Sequence, residues 1–288
     1  MRRLRTRLGR HAGTSQLLLA RLHRLDALVQ ALGMLLLTAV AMVPAQIFAA
    51  GESQPRTLDS NGVPLRYTVE GEGEPVVLIH GLYASAQINW RTPGTIKALA
   101  TNYQVIALDV RGHGGSGKPT AEEAYGLELM EDVIRLLDHL KIQKAHIVGY
   151  SMGGMITMKL LTRHPDRVRS AVLGGMGWLR QGSPLQHFWT QIPDRQKAAT
   201  PPACARSLGA LAVTADEVKA IRVPVTVLVG ERDPCRRLYV APLEDIRPDW
   251  PVKLVPGAGH VNCILKPEFK AGIRGWLEQQ AQRAQRPK

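Results

Sequence analysis

The chain has 288 residues, 45% of them hydrophobic, enough for one large α/β domain with a substantial core. Its net charge of +13 is unevenly spread: seven Arg against one Asp in residues 1–26 supply six of those charges. The basic residues after Gly51 are interspersed with acids, and no zinc-finger or RNA-binding spacing occurs, so composition excludes a dedicated nucleic-acid-binding protein.

Residues 27–50 carry no charge and follow the Arg-rich stretch. As a helix they would span about 36 Å, more than a hydrocarbon core of about 30 Å. A basic segment before an apolar one is the layout of a signal peptide or signal anchor, with Val43-Pro44-Ala45 as a small-residue cleavage site. The expectation is an exported catalytic domain, with membrane association through residues 27–50 if the segment is retained. A packed N-terminal helix is the plainer alternative. The expected organisation is therefore 1–50 as leader or anchor and 51–288 as the functional domain.

From residue 51 on, strand and helix signals alternate. Segments 56–59 and 65–70 flank Ser60-Asn61-Gly62, a hairpin turn signal. Segments 75–80 and 104–109 read as buried strands. Residues 121–140 have helical period, with Leu127, Met130, Val133, Leu136, Leu137 and Leu140 as the buried stripe. A strand over 145–150, a helix over 152–163 and strands over 167–173, 224–230 and 252–255 follow, and a helix over 266–282 closes the chain. Apolar strands alternating with helices predict a mostly parallel sheet covered on both faces. The Pro-rich stretch 175–222 breaks the rhythm and reads as a small inserted cap.

Gly149-Tyr150-Ser151-Met152-Gly153 stands at the junction of a predicted strand and helix. A serine on such a turn is pushed clear of the sheet, and the helix N-terminus behind it favours developing negative charge. A serine hydroxyl needs a base, an acid to orient that base, and donors for the oxyanion. His260, after Pro256-Gly257-Ala258-Gly259, is the candidate base among nine histidines. His80, His113, His146 and His164 read instead as turn, loop, strand and helix-end residues. Asp233, just past a predicted strand, is the candidate acid, with Glu231 as rival. The backbone N–H groups of Leu82 and Met152 are the candidate oxyanion donors.

The glycine-rich loop 109–117 fits neither G-x-G-x-x-G nor a P-loop and reads as structural. Tyr83, Tyr150, Trp178 and Trp189 are candidate pocket residues. Arg180, Arg195 and Lys197 in the cap would suit an anionic substrate. Cys235 and Cys263 follow the acid and the base and would be placed for a disulfide after export; three reduced thiols are the plainer alternative.

Together, His80-Gly81, Asp109-x-Arg111-Gly112-His113-Gly114-x-Ser116, Gly149-x-Ser151-Met152-Gly153-Gly154, Arg163-His164-Pro165-Asp166-Arg167-Val168 and Gly257-x-Gly259-His260 resemble the α/β-hydrolase fold family. The resemblance runs from about residue 56 to 282. It implies a Ser151 nucleophile, a His260 base, an Asp233 acid, and a short cap over the pocket. It implies no cofactor or metal. The expected activity is cleavage of a carboxylic ester with a small to medium acyl group. Lactonase, cofactor-free perhydrolase or haloperoxidase, C–C hydrolase and amidase chemistry share the same triad. A catalytically silent, membrane-tethered binding protein is the reading from another class.

Overall fold

The computed structural model describes residues 53–192 and 199–285. The expected leader or anchor at 27–50 lies outside the described residues. Among the described residues no helix is long and apolar enough to cross a membrane. Ala49–Lys288 forms one compact unit.

Eight strands make one sheet: β1 (Arg56–Ser60), β2 (Val63–Glu70), β3 (Glu74–Ile79), β4 (Tyr103–Leu108), β5 (Ala145–Tyr150), β6 (Val168–Gly174), β7 (Val225–Gly230) and β8 (Val252–Val255). Their spatial order is β1-β2-β4-β3-β5-β6-β7-β8. The β1–β2 and β2–β4 pairs are antiparallel and every later pair is parallel. Asn61 and Gly62, both at positive φ (54° and 79°), make the two-residue turn that lets β1 fold back on β2.

The helices are α1 (Thr95–Leu99), α2 (Glu128–His139), α3 (Met152–Arg163), α4 (Pro184–Thr190), α5 (Pro202–Ser207), α6 (Ala215–Ala220), α7 (Ala241–Ile246) and α8 (Pro267–Gln285). Alternation along β3 shows how they form two layers. Val77 and Ile79 join a core with Met130, Val133 and Leu137 of α2 and Met155 and Ile156 of α3. Val76 and Leu78 point the other way, into a core with Ile96 and Leu99 of α1 and Phe269, Ile273 and Trp276 of α8. Strands apolar on both faces require this double cover.

Three features depart from the sequence reading. The helix expected over 121–140 begins only at Glu128, because Gly126 takes a left-handed φ of 65° after a short 3-10 turn at Glu122–Ala124. Leu127 is accordingly exposed rather than part of the stripe. Segments 87–99 and 236–246, read from sequence as no element, hold five-residue π-helical turns at Gln87–Arg91 and Arg236–Val240 next to α1 and α7. His80, read as a turn residue, follows the end of β3 and is fully buried, as is the loop residue His113.

Between β6 and β7 the described residues hold α4, α5 and α6 and no strand. Lys159 Nζ on α3 donates to Ala212 O (3.1 Å), fastening this insertion to the body, and Trp178 Nε1 donates to Val213 O (2.9 Å) within the insertion.

Candidate active site

β5 is flanked by β3 and β6 in the middle of the sheet, and Ser151 follows its last residue. Ser151 sits at φ 53°, ψ −113°, outside the regions that L-residues ordinarily occupy. Such a conformation costs about 1–3 kcal/mol and persists only where the surroundings enforce it. Here they do: Ser151 N donates to Gly174 O (2.7 Å), and Gly154 N and Met155 N donate to Ser151 O. The flanking glycines are required by packing. A Cβ on Gly149 would lie 2.0 Å from Gly153 O, and one on Gly153 would lie 2.1 Å from Ile79 O. The bend therefore brings the start of α3 hard against β3 and β5.

The Ser151 hydroxyl is 2.9 Å from His260 Nε2, and His260 Nδ1 is 2.8 Å from Asp233 Oδ2. A carboxylate only accepts, so Nδ1–H donates to Asp233 and Nε2 is left to accept the Ser151 proton. Asp233 is buried, and its other oxygen accepts from Cys235 N (2.8 Å). The structure thus brings Ser151, Asp233 and His260 together in one relay. Glu231, the rival acid, is exposed and accepts from Gly257 N (2.8 Å), so it ties down the histidine loop without touching the ring.

Burial disfavours a charged His260 ring, but the Cys235 sulfur and the Asp233 carboxylate outweigh it and hold the imidazole well above the ordinary histidine value. Cys235 is itself pushed up by burial and stays a thiol, so Asp233 supplies the charge.

Met152 opens α3, so its N–H has no acceptor one turn back. Leu82 N–H, in the turn after β3, makes no backbone hydrogen bond among the described residues. The turn itself is pinned: Gly81 N donates to the buried Asn89 Oδ1 (2.8 Å), and a Cβ on Gly81 would come within 3.3 Å of Ser151 Cβ. Asn89 carries no sequence signal of its own, since its partner is a backbone amide.

The glycine-rich loop braces the same turn. His80 Nδ1–H donates to Gly81 O (2.8 Å), and its Nε2 accepts from Val110 N (3.0 Å). Burial lowers the basicity of His80 against the opposing pull of Asp109 and the Gly81 carbonyl, and Nε2, occupied as an acceptor of Val110 N–H, carries no proton. Asp109 accepts from Ala86 N (2.8 Å) and Gly115 N (2.9 Å).

Of the two readings for the cysteines, the structure has the reduced one: Cys204, Cys235 and Cys263 are free, buried thiols. The Cys235 sulfur lies beside Asp233 and His260, within 4.8 Å of a ligand atom of each. Tyr150 is buried and donates to His260 O, making it a support for the histidine loop rather than a pocket wall. Trp178 is likewise buried, whereas Tyr83 and Trp189 are half-buried. Arg180 is exposed, and Arg195 and Lys197 lie outside the described residues.

A family model described as alpha/beta hydrolase fold matches residues 74–210, which include Ser151 but stop short of Asp233 and His260. The chain is 40% identical over 139 residues to the dihydrolipoyllysine-residue acetyltransferase component of an acetoin cleaving system from Pseudomonas putida, covering 46% of this chain and 36% of that protein. The chain thus matches well under two thirds of that relative's length. An epoxide hydrolase from Vigna radiata superposes with a TM-score of 0.65 at 17% identity, covering 81% of this chain and all of that one. A carboxylesterase from Nitrososphaera gargenis gives a TM-score of 0.65 at 21% identity, covering 80% and 99%. Given these matches and an eight-stranded, mostly parallel sheet carrying its serine on the β5–α3 bend, the chain has the α/β-hydrolase fold.

Proposed function

We propose that the protein is a serine hydrolase that cleaves a carboxylic ester bearing a small to medium acyl group. The observation that carries this reading is the continuous Asp233–His260–Ser151 relay, with a hydroxyl rather than a carboxylate at the attacking position.

His260 Nε2 takes the Ser151 proton as Oγ attacks the ester carbonyl. The tetrahedral oxyanion is stabilised by the Leu82 and Met152 N–H groups, each worth on the order of 3 kcal/mol in such a role. Nε2 then hands its proton to the departing alcohol. Water, activated by the same nitrogen, releases the acid from the Ser151 ester. Asp233 holds the ring with Nδ1–H inward throughout.

The serine also argues against epoxide opening through a covalent intermediate. Attack of a hydroxyl on an epoxide carbon leaves an ether on Ser151, which this apparatus has no means to hydrolyse. An acyl-serine is an ester, which the site is built to attack a second time.

The test is labelling by a fluorophosphonate probe and turnover of short-chain p-nitrophenyl esters. Wild type should label and turn over, and Ser151→Ala should lose labelling and on the order of 10⁴-fold or more of kcat. A folded wild-type protein that neither labels nor turns over removes this reading.

A further inference from the structure

Cys235 has no part in the acyl-transfer steps, yet its thiol lies against the two residues that steer them. It is 4% exposed, and its sulfur lies beside the His260 ring. One ligand atom from each of Asp233, Cys235 and His260 lies within 4.8 Å of the other two. A tetrahedral ion with bonds of about 2.0–2.3 Å to N, O and S holds its ligand atoms roughly 3.3–3.8 Å apart. Small side-chain rotations would close this set on one ion.

We propose that Asp233, Cys235 and His260 form an inhibitory site for a thiophilic divalent cation of the zinc and cadmium class. The mixed sulfur, nitrogen and oxygen donors suit such ions and not magnesium or calcium, which take oxygen. Charge balances as well. One thiolate and one carboxylate neutralise the ion, and neutral imidazole completes the set, so no net charge is buried.

Binding rearranges two protons and no electrons. The Cys235 S–H bond breaks, its proton leaves to water, and sulfur bonds the ion. The Nδ1 proton, now donated to Asp233, moves through solvent to Nε2, and the freed Nδ1 lone pair bonds the ion. One proton is released per ion. The ring then presents N–H to Ser151 and can no longer accept its proton. Inhibition therefore comes from holding the wrong tautomer.

The inhibition readout rests on the proposed esterase activity, but metal binding does not. The experiment uses the full chain as wild type, Cys235→Ser, Cys235→Ala and Cys263→Ser. With p-nitrophenyl acetate and buffered free zinc, wild type should lose at least tenfold of its rate at a concentration that changes each Cys235 variant less than twofold. A chelator should restore it. In parallel, cadmium is titrated and its thiolate charge-transfer absorption followed in the ultraviolet. The band should saturate at one ion per chain in wild type and Cys263→Ser and be lost in Cys235→Ala. Parallel zinc sensitivity of wild type and the Cys235 variants overturns the proposal. So does a cadmium band that is absent from wild type, persists in Cys235→Ala, or disappears in Cys263→Ser. If the band behaves as expected but no ester is turned over, the site stands and the esterase reading falls.

Discussion

The Tyr150 hydroxyl donates to the backbone carbonyl of His260, so the residue before the serine holds the loop that carries its base. The two rings lie 5.7 Å apart, and Phe269 packs edge-on against the other side of Tyr150 at 5.4 Å. Residues 110 positions apart in the chain are thereby set in one register.

Tyr150→Phe keeps the ring and deletes the bond. The expected result is a loss of about tenfold in kcat with KM changed less than twofold, because a loosened His260 affects proton transfer and not substrate contact. Steady-state kinetics on a p-nitrophenyl ester decide it. A variant with unchanged kcat would show that packing alone holds the loop.

The pH profile follows from the His260 environment. The neutral ring is the active form, and burial, which lowers its proton affinity, is outweighed by the Asp233 carboxylate, which raises it. A raised value means that the inactivating proton binds at higher pH than in an ordinary histidine. The acid limb of kcat/KM should therefore fall through a midpoint above 6.5, with the slope of one proton. Asp233→Asn removes the charge and should move the midpoint down while lowering kcat by on the order of 10⁴-fold. A wild-type midpoint at or below 6.5 would contradict the assignment.

Two glycine-to-alanine changes should act in opposite directions. At Gly153 the new methyl would meet Ile79 O at 2.1 Å and His80 O at 2.9 Å, so α3 must shift off β3. A loss of at least about 3 kcal/mol is expected by denaturant titration, together with loss of activity. At Gly275, within α8, a methyl meets nothing within 4 Å, and the gain should be about 0.5–1 kcal/mol. Equal effects at the two sites would contradict the packing argument.

Asp132 is fully buried and accepts from Ser60 Oγ (2.6 Å), Arg111 Nε (2.6 Å) and Arg111 Nη2. Arg111 is itself 2% exposed. Asp132→Ala strands a buried guanidinium, and a loss of about 3–5 kcal/mol is expected. Urea unfolding followed by circular dichroism would measure it. A change under 1 kcal/mol would mean that Glu128, 3.4 Å from Arg111, takes over the charge.

The sequence made Ser151, His260 and Asp233 legible for separate reasons. The serine is framed by glycines whose absence of a side chain is a packing requirement, and that requirement leaves a fixed spacing. His260 and Asp233 follow strands in an order that one topology explains. Asn89, Tyr150 and Cys235 act through contacts with a backbone amide, a backbone carbonyl and a ring edge, none of which leaves a pattern in the letters. The π-helical turns have no hydrophobic period to betray them. The late start of α2 depends on one left-handed glycine, which helical period over 121–140 concealed.

The placement of the relay across the sheet has a consequence for how the protein fails. Ser151 follows a strand bounded on both sides by further parallel strands, but His260 follows β8, a four-residue edge strand with Lys253 and Leu254 exposed. Edges open before centres, since fewer contacts must be surrendered. Warming should therefore silence turnover several degrees before the circular dichroism signal is lost, through fraying at one margin of an otherwise intact molecule. Coincident midpoints for the two signals would mean that margin and centre melt as one.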